Sequence, residues 1–120
     1  MKRFLFLDDN VDRHVAFDMM TIGCDVKHVW TSDECISALS GDPPYDCVFL
    51  DHDLGGKYFV TEEKGSGSEV ASFIGSDLER SSYPKMIVIH SWNPDGAIRM
   101  QRYISSTGIP CNRIRFSFPT

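Results

Sequence analysis

Apolar positions along the chain switch back and forth between the short repeat of a strand and the longer repeat of an amphipathic helix. "RFLFL" (3–7) predicts a strand, and Val11, Val15, Met19 and Ile22 follow at helical spacing. "DVKHVW" (25–30) predicts a second strand, alternating Val26, His28 and Trp30 against Lys27 and Val29. "TSDECISALSG" (31–41) opens on Thr31-x-x-Glu34, a capping-box pattern, and closes on Gly41. "DCVFL" (46–50) predicts the third strand, and Ser66-x-x-Glu69 starts a helix carrying Val70, Phe73, Ile74 and Leu78. "KMIVIH" (85–90), "NPDGAIRMQRYISSTG" (93–108) and "RIRFSF" (113–118) predict a fourth strand, a fourth helix and a fifth strand.

The strand patterns also predict an order. A parallel strand covered on both faces reads as a continuous apolar run, whereas a half-exposed strand alternates. "FLFL", "CVFL" and "MIVI" are continuous, which puts strands one, three and four inside and two and five at the edges. Right-handed crossovers then favour a flavodoxin-like α/β fold of three layers, with a five-stranded parallel sheet in the order 2-1-3-4-5. Sheets of this kind bind ligands beyond the carboxyl ends of their strands, near the switch point between strands one and three.

Composition narrows the class. A chain of 120 residues, 42% hydrophobic and 24% charged, predicts one globular domain over 1–120 with a core large enough to need no staples. A net charge of −5 argues against a DNA binder, whose footprint would be basic. Cys24, Cys35, Cys47 and Cys111 show no C-x-x-C pairing, which suits reduced thiols in a cytoplasmic protein. No apolar run reaches the roughly 20 residues of a membrane span, and "FLFL" meets Asp8-Asp9 too early for a signal peptide.

Candidate chemistry collects at the carboxyl ends of the central strands. The first strand ends on Asp8, Asp9 and Asn10, the third on Asp51, His52 and Asp53, and the fourth on His90, Ser91 and Asn93. Adjacent strands lie roughly 4.8 Å apart, so these groups converge on one rim. Some acids are expected as caps: Asp9 or Asn10 for the first helix, Asp53 for the glycine turn. Four carboxylates that close raise one another's pKa unless a cation neutralises them. Oxygen ligands favour Mg²⁺ or Mn²⁺, while neighbouring histidines leave room for Zn²⁺, Ni²⁺ or Fe²⁺. Asn93 as N-cap and Pro94 behind it would aim free N–H groups of the fourth helix at the same rim, which suits a phosphate. His14 and His28 are expected at the surface. "GGKYFVTEEKGSG" (55–67) is a long connection that reads equally as a surface insertion or a lid, with Lys57 and Lys64 within reach of a bound phosphate.

These residues resemble those of response-regulator receiver domains, which carry an acidic pair after the first strand and an aspartate ending the third. The closer resemblance is to the receiver-like family of cyclic-phosphate-processing domains, in "LFLDD" (5–9), "LDHDLGG" (50–56), a Gly-Ser turn into the third helix, and "IHSWNPDG" (89–96). The resemblance covers nearly the whole chain. It implies a divalent-metal-dependent phosphoesterase acting on a cyclic phosphate, in a cyclic nucleotide or an RNA 2′,3′-cyclic phosphate end. Asp8, Asp9, Asp51 and Asp53 would hold the cation, and His90 and His52 would serve as acid and base beside Asp51. Ser91, Asn93, Gly55 and Gly56 would contact the phosphate.

The chain also departs from ordinary receivers. Phe118 stands where they carry a lysine before proline, and the chain stops at Thr120, where they continue into a fifth helix. The lost lysine weakens the alternative of a phosphoacceptor module using Asp51. The extra histidines weaken a third, a protein that only sequesters nucleotides. A final helix missing from the first helix's side of the sheet would leave apolar surface open, and a two-fold homodimer is the expected cover.

Overall fold

The structure is a computed structural model that describes residues 1–41, 44–54 and 65–114. Five parallel strands form one sheet in the order β2-β1-β3-β4-β5, as the strand patterns predict. They are β1 (Arg3–Leu7), β2 (Asp25–Val29), β3 (Cys47–Leu50), β4 (Ile87–Ile89) and β5 (Cys111–Arg113). The helices are α1 (Val11–Met20), α2 (Ser32–Gly41), α3 (Gly67–Ser76) and α4 (Pro94–Ser105). Among the described residues, no helix is long and apolar enough to cross a membrane.

Register explains the convergence at the rim. Leu7 pairs with Leu50 and Leu50 with Ile89, so β1, β3 and β4 end level with one another. Asp8, Asp51 and His90 therefore leave three adjacent strands at the same height. Backbone bonds continue the ladder past the strand ends: Asp51 N donates to Leu7 O and His90 N to Leu50 O.

The two sheet faces bury different chemistry. Leu5, Leu7, Val48, Leu50, Ile87 and Ile89 face an aliphatic core closed by α2, α3 and α4. On the α1 side the core is aromatic, with Phe6 and Phe17 buried and Phe4, Val26 and Phe49 packed against them. Phe17 stacks on Phe6 at 4.2 Å and meets Phe49 edge-on at 4.7 Å.

Those rings decide which side of α1 turns inward, and it is not the expected one. The helical spacing of Val11, Val15, Met19 and Ile22 predicts an apolar face for an amphipathic helix, but these side chains are 61, 56, 71 and 86% exposed. The buried residues of α1 are His14 and Phe17. A phenyl ring stacked on another buries more apolar area than a valine, and His14 gains two hydrogen bonds by facing in. The aliphatic stripe is left in solvent.

The fifth strand also starts earlier than 113–118. Ile87 N donates to Pro110 O, Ile87 pairs with Cys111, and the ladder runs on to Ile114 N donating to Ile89 O. "CNR" is polar because the strand is an exposed edge, so its apolar pattern carries no signal. Residues 115–120, with the rest of the expected strand, and 55–64, with most of the long connection, lie outside the described residues.

Candidate functional site

Local sequence fixes the rim before any tertiary contact does. Asn10 caps α1, its Oδ1 accepting from Arg13 N at 3.1 Å, while Asn10 N donates to Asp8 Oδ1 at 2.9 Å. This Asx turn holds the Asp8 carboxylate over the end of β1. Asn93 caps α4 through Gly96 N at 3.0 Å, with Pro94 in the first turn. Ser91 Oγ accepts from Asn93 N at 3.0 Å and sets the approach to that cap.

Glycine permits two close approaches here. A Cβ on Gly67 would fall 1.9 Å from Asp51 O, and one on Gly96 would fall 2.5 Å from the His52 ring. The first turn of α3 thus packs directly on the backbone after β3, where Gly67 N donates to His52 O at 2.8 Å. The first turn of α4 packs on the imidazole itself.

Asp8, Asp9 and Asp51 each present a carboxylate oxygen, and the three lie within 4.8 Å of one another. Asp8 is fully buried and Asp51 is 5% exposed. Burial, then the Asp8 charge, pushes the Asp51 carboxyl up to about 8, although Arg13 pulls the other way. A buried carboxylate set under that strain fits a hard divalent cation, whose charge would return Asp51 to its ionised form.

Arg13 was not among the expected site residues. Its Nε donates to Asp8 Oδ2 at 2.7 Å, and a terminal nitrogen lies 3.7 Å from both Asp9 Oδ1 and Asp51 Oδ2. The guanidinium is the internal counter-charge of the cluster, and the three carboxylates raise its pKa against the effect of burial. The spacing of Asp9 and Arg13, one helical turn apart, was the available signal.

His90 sits beneath this cluster with Nδ1 3.6 Å from Asp8 Oδ2, its ring stacked on Phe6 at 5.0 Å. Burial, helped by the Arg13 charge, pushes its pKa down to about 3, so the ring is neutral at pH 7. His52, Asp53 and Asn93 form a separate group. His52 Nδ1 lies 2.7 Å from Asp53 Oδ1, and Asn93 Nδ2 donates to the same oxygen at 3.2 Å. The structure thus brings Asp8, Asp9 and Asp51 together and turns Asp53 towards His52 and the α4 cap. The His52 ring is fully buried, and its Nε2 has no hydrogen-bond partner among the described residues. Gly55 and Gly56 lie outside the described residues.

His14 corrects a second expectation. It is 4% exposed rather than on the surface, with Nε2 donating to Asp8 O at 2.8 Å and Nδ1 2.6 Å from His28 Nδ1. His28 is half-buried and lies 2.7 Å from Asp18 Oδ1. An isolated histidine on a helix gives no sequence signal for such a chain, because the partner carbonyl belongs to the backbone.

Fold and site together define a receiver-type domain, with an acidic pair after β1 and an aspartate after β3. A family model described as "Cyclic-phosphate processing Receiver domain" matches residues 3–106, and the chain belongs to that family. Comparison with curated proteins gives no match. Several solved structures share the fold. A response regulator protein from Burkholderia pseudomallei, solved with a phosphorylated aspartic acid, calcium ion and citrate, superposes with a TM-score of 0.63 at 18% identity. That match covers 94% of this chain and 59% of the other, so this chain spans less than two thirds of that protein. A CheY-like receiver domain from Methanospirillum hungatei gives a TM-score of 0.69 at 14% identity, covering 99% and 84%. The response regulator TrrA from Thermotoga maritima, in complex with Mg²⁺-BeF, gives 0.62 at 22%, covering 98% and 89%.

Proposed function

We propose that this domain is a divalent-metal-dependent phosphoesterase acting on a cyclic phosphate, in a cyclic nucleotide or at an RNA 2′,3′-cyclic phosphate end. The observation that carries the reading is the cluster of Asp8, Asp9 and Asp51, with Asp8 and Asp51 buried, beside a neutral, buried His90. The family description supplies the substrate class. Mg²⁺ or Mn²⁺ suits the carboxylate set best. Such an ion supplies Lewis-acid stabilisation of a phosphoryl oxygen. Asp8, Asp9 and Asp51 would hold the cation, and Arg13, which lies against all three carboxylates, would share their oxygens with it. His90, with Nδ1 3.6 Å from Asp8 Oδ2, and His52 are the imidazoles that would serve as acid and base at the site. His52 orients Asp53 and Asn93, and the α4 cap with Ser91 and Asn93 positions the phosphate.

A second reading has its own support. Asp51 directly follows β3 of a receiver fold, where it would accept a phosphoryl group, and one similar structure contains a phosphorylated aspartic acid. One panel separates the two. The protein is incubated with 2′,3′-cyclic mononucleotides and a cyclic-phosphate-ended RNA in Mg²⁺, Mn²⁺ or EDTA, and with acetyl phosphate. Metal-dependent ring opening supports the esterase. Labelling by acetyl phosphate that is lost in Asp51→Ala, without ring opening, supports the phosphoacceptor and overturns the esterase.

The reading includes a two-fold homodimer through the α1 side of the sheet, supported by the exposed Val11, Val15 and Met19. Light scattering should give twice 13.6 kDa, and a clean monomer mass removes the dimer.

A further inference from the structure

A cleft of about 330 Å³ opens beside the acidic cluster, lined by Asp9, Trp30, Thr31, Asp33, Leu54 and Gly65. We propose that it is a nucleobase subsite, so that the site takes a nucleoside phosphate rather than a phosphate alone. The inference rests on the proposed function for its phosphate half and on the cleft for its base half.

Position comes first. Asp9 belongs to the acidic cluster and also lines the cleft, so the two sites share a wall. A ligand with its phosphate at the cluster has its substituent directed along Asp9 into the cleft. The volume lies at the low end of the roughly 300–1,000 Å³ typical of ligand pockets. It suits one nucleoside.

The aromatic wall is already ordered. Trp30 stacks on His14 with ring centroids 3.7 Å apart and planes 27° from parallel. His14 is held in turn by Asp8 O and His28. Trp30 N donates to Glu34 Oε1 at 3.0 Å, which ties the backbone to the α2 capping box. An indole fixed this way loses little further freedom when a base stacks on it. Base–aromatic stacking is a principal source of affinity in single-strand binders and tolerates any base, because every base has a π-face. Leu54 adds an apolar contact at the same cleft.

Charge then selects what enters. Asp9 and Asp33 make the cleft acidic, so a second phosphoryl group is disfavoured there. An uncharged base is not. A carboxylate accepts hydrogen bonds without donating, so Asp33 matches a base edge that offers N–H groups. Guanine presents two such groups side by side.

Trp30 and Trp92 are the two tryptophans of the chain, so a Trp92→Phe background makes fluorescence report Trp30 alone. Guanosine in EDTA should quench it. By calorimetry in Mg²⁺, guanosine 2′,3′-cyclic phosphate should bind at least about tenfold more tightly than inorganic phosphate. Trp30→Ala should erase that advantage while leaving phosphate affinity unchanged, and Trp30→Phe should keep most of it. Undiminished nucleotide affinity in Trp30→Ala overturns the subsite. Mg²⁺-dependent phosphate binding with no gain from the base also removes the subsite, and leaves the metal reading standing. Quenching by guanosine with no Mg²⁺-dependent gain from phosphate keeps the subsite and removes the metal reading.

Discussion

Arg13 divides one positive charge among three carboxylates, so it and a divalent cation compete for the same oxygens. Replacing it with Gln removes the resident charge and keeps much of the side-chain volume. Arg13→Gln should therefore tighten Mn²⁺ binding several-fold by calorimetry; weaker binding would show that Arg13 helps to shape the metal site instead. The glycines at the rim give a second test at this scale. Gly96→Ala drives a methyl group to 2.5 Å from the fully buried His52 ring, which cannot move outward without breaking its contacts to Asp53 and Asn93. Overpacking of this kind costs about 1–3 kcal/mol, readable in urea unfolding. Gly23→Ala is the contrast. No atom lies within 4 Å of its added methyl group, and the expected loss comes from its φ of +89° alone.

At the scale of the element, α1 has two apolar sets to choose from, and the choice is measurable. Phe17→Ala should cost about 3–5 kcal/mol, because it opens the stack between Phe6 and Phe49. Val15→Ser and Met19→Ser should stay within about 0.5 kcal/mol when unfolding is followed at concentrations where the chain is monomeric, since both side chains are exposed in the single chain. Equal costs would return the aliphatic stripe to the core. This helix shows where sequence reasoning fails. Helical spacing of four aliphatics is a strong periodic signal, while one phenylalanine and one histidine make none. Their advantage comes from partners on β1 and β3, which lie elsewhere in the chain. The central strands were legible because burial on both faces forces a continuous apolar run. The helix starts were legible because capping is local: Thr31 Oγ1 accepts from Glu34 N, and Thr31 N donates to Glu34 Oε1. The Asp8, Asp9 and Asp51 cluster followed from strand ends, which the order of the sheet determines. The turning of Asp53 towards His52 did not, because it depends on a side-chain rotamer at a turn.

For the whole molecule, the buried titratable groups give stability a definite dependence on pH. Burial pushes His90 down to about 3 and lowers His14, so the folded protein binds fewer protons than the unfolded chain up to the ordinary histidine range near 6.5. Those two groups make stability rise with pH until then. Asp51 acts in the opposite sense. Its carboxyl is raised to about 8, so the folded protein holds a proton that the unfolded chain releases near 4, and stability falls as pH climbs between those values. Below about 6.5 the two trends oppose each other. Above it these histidines no longer contribute, and Asp51 lowers stability until the pH passes its own raised value near 8. Cys35, Cys47 and Cys111 are pushed up by burial, Cys47 to about 12, so thiol ionisation acts only at still higher pH. In EDTA, the protein should therefore lose about 1–2 kcal/mol between pH 6.5 and 8, at a limiting slope of roughly 1.4 kcal/mol per unit for one proton. Mg²⁺ or Mn²⁺ binds the ionised carboxylate, so saturating cation should flatten or reverse that loss, with the larger stabilisation at pH 8. Asp51→Asn removes the titrating group and should abolish the decline in EDTA. Chemical denaturation at the two pH values, with and without cation, reads all three effects. A decline that survives in Asp51→Asn would move its origin away from the acidic cluster.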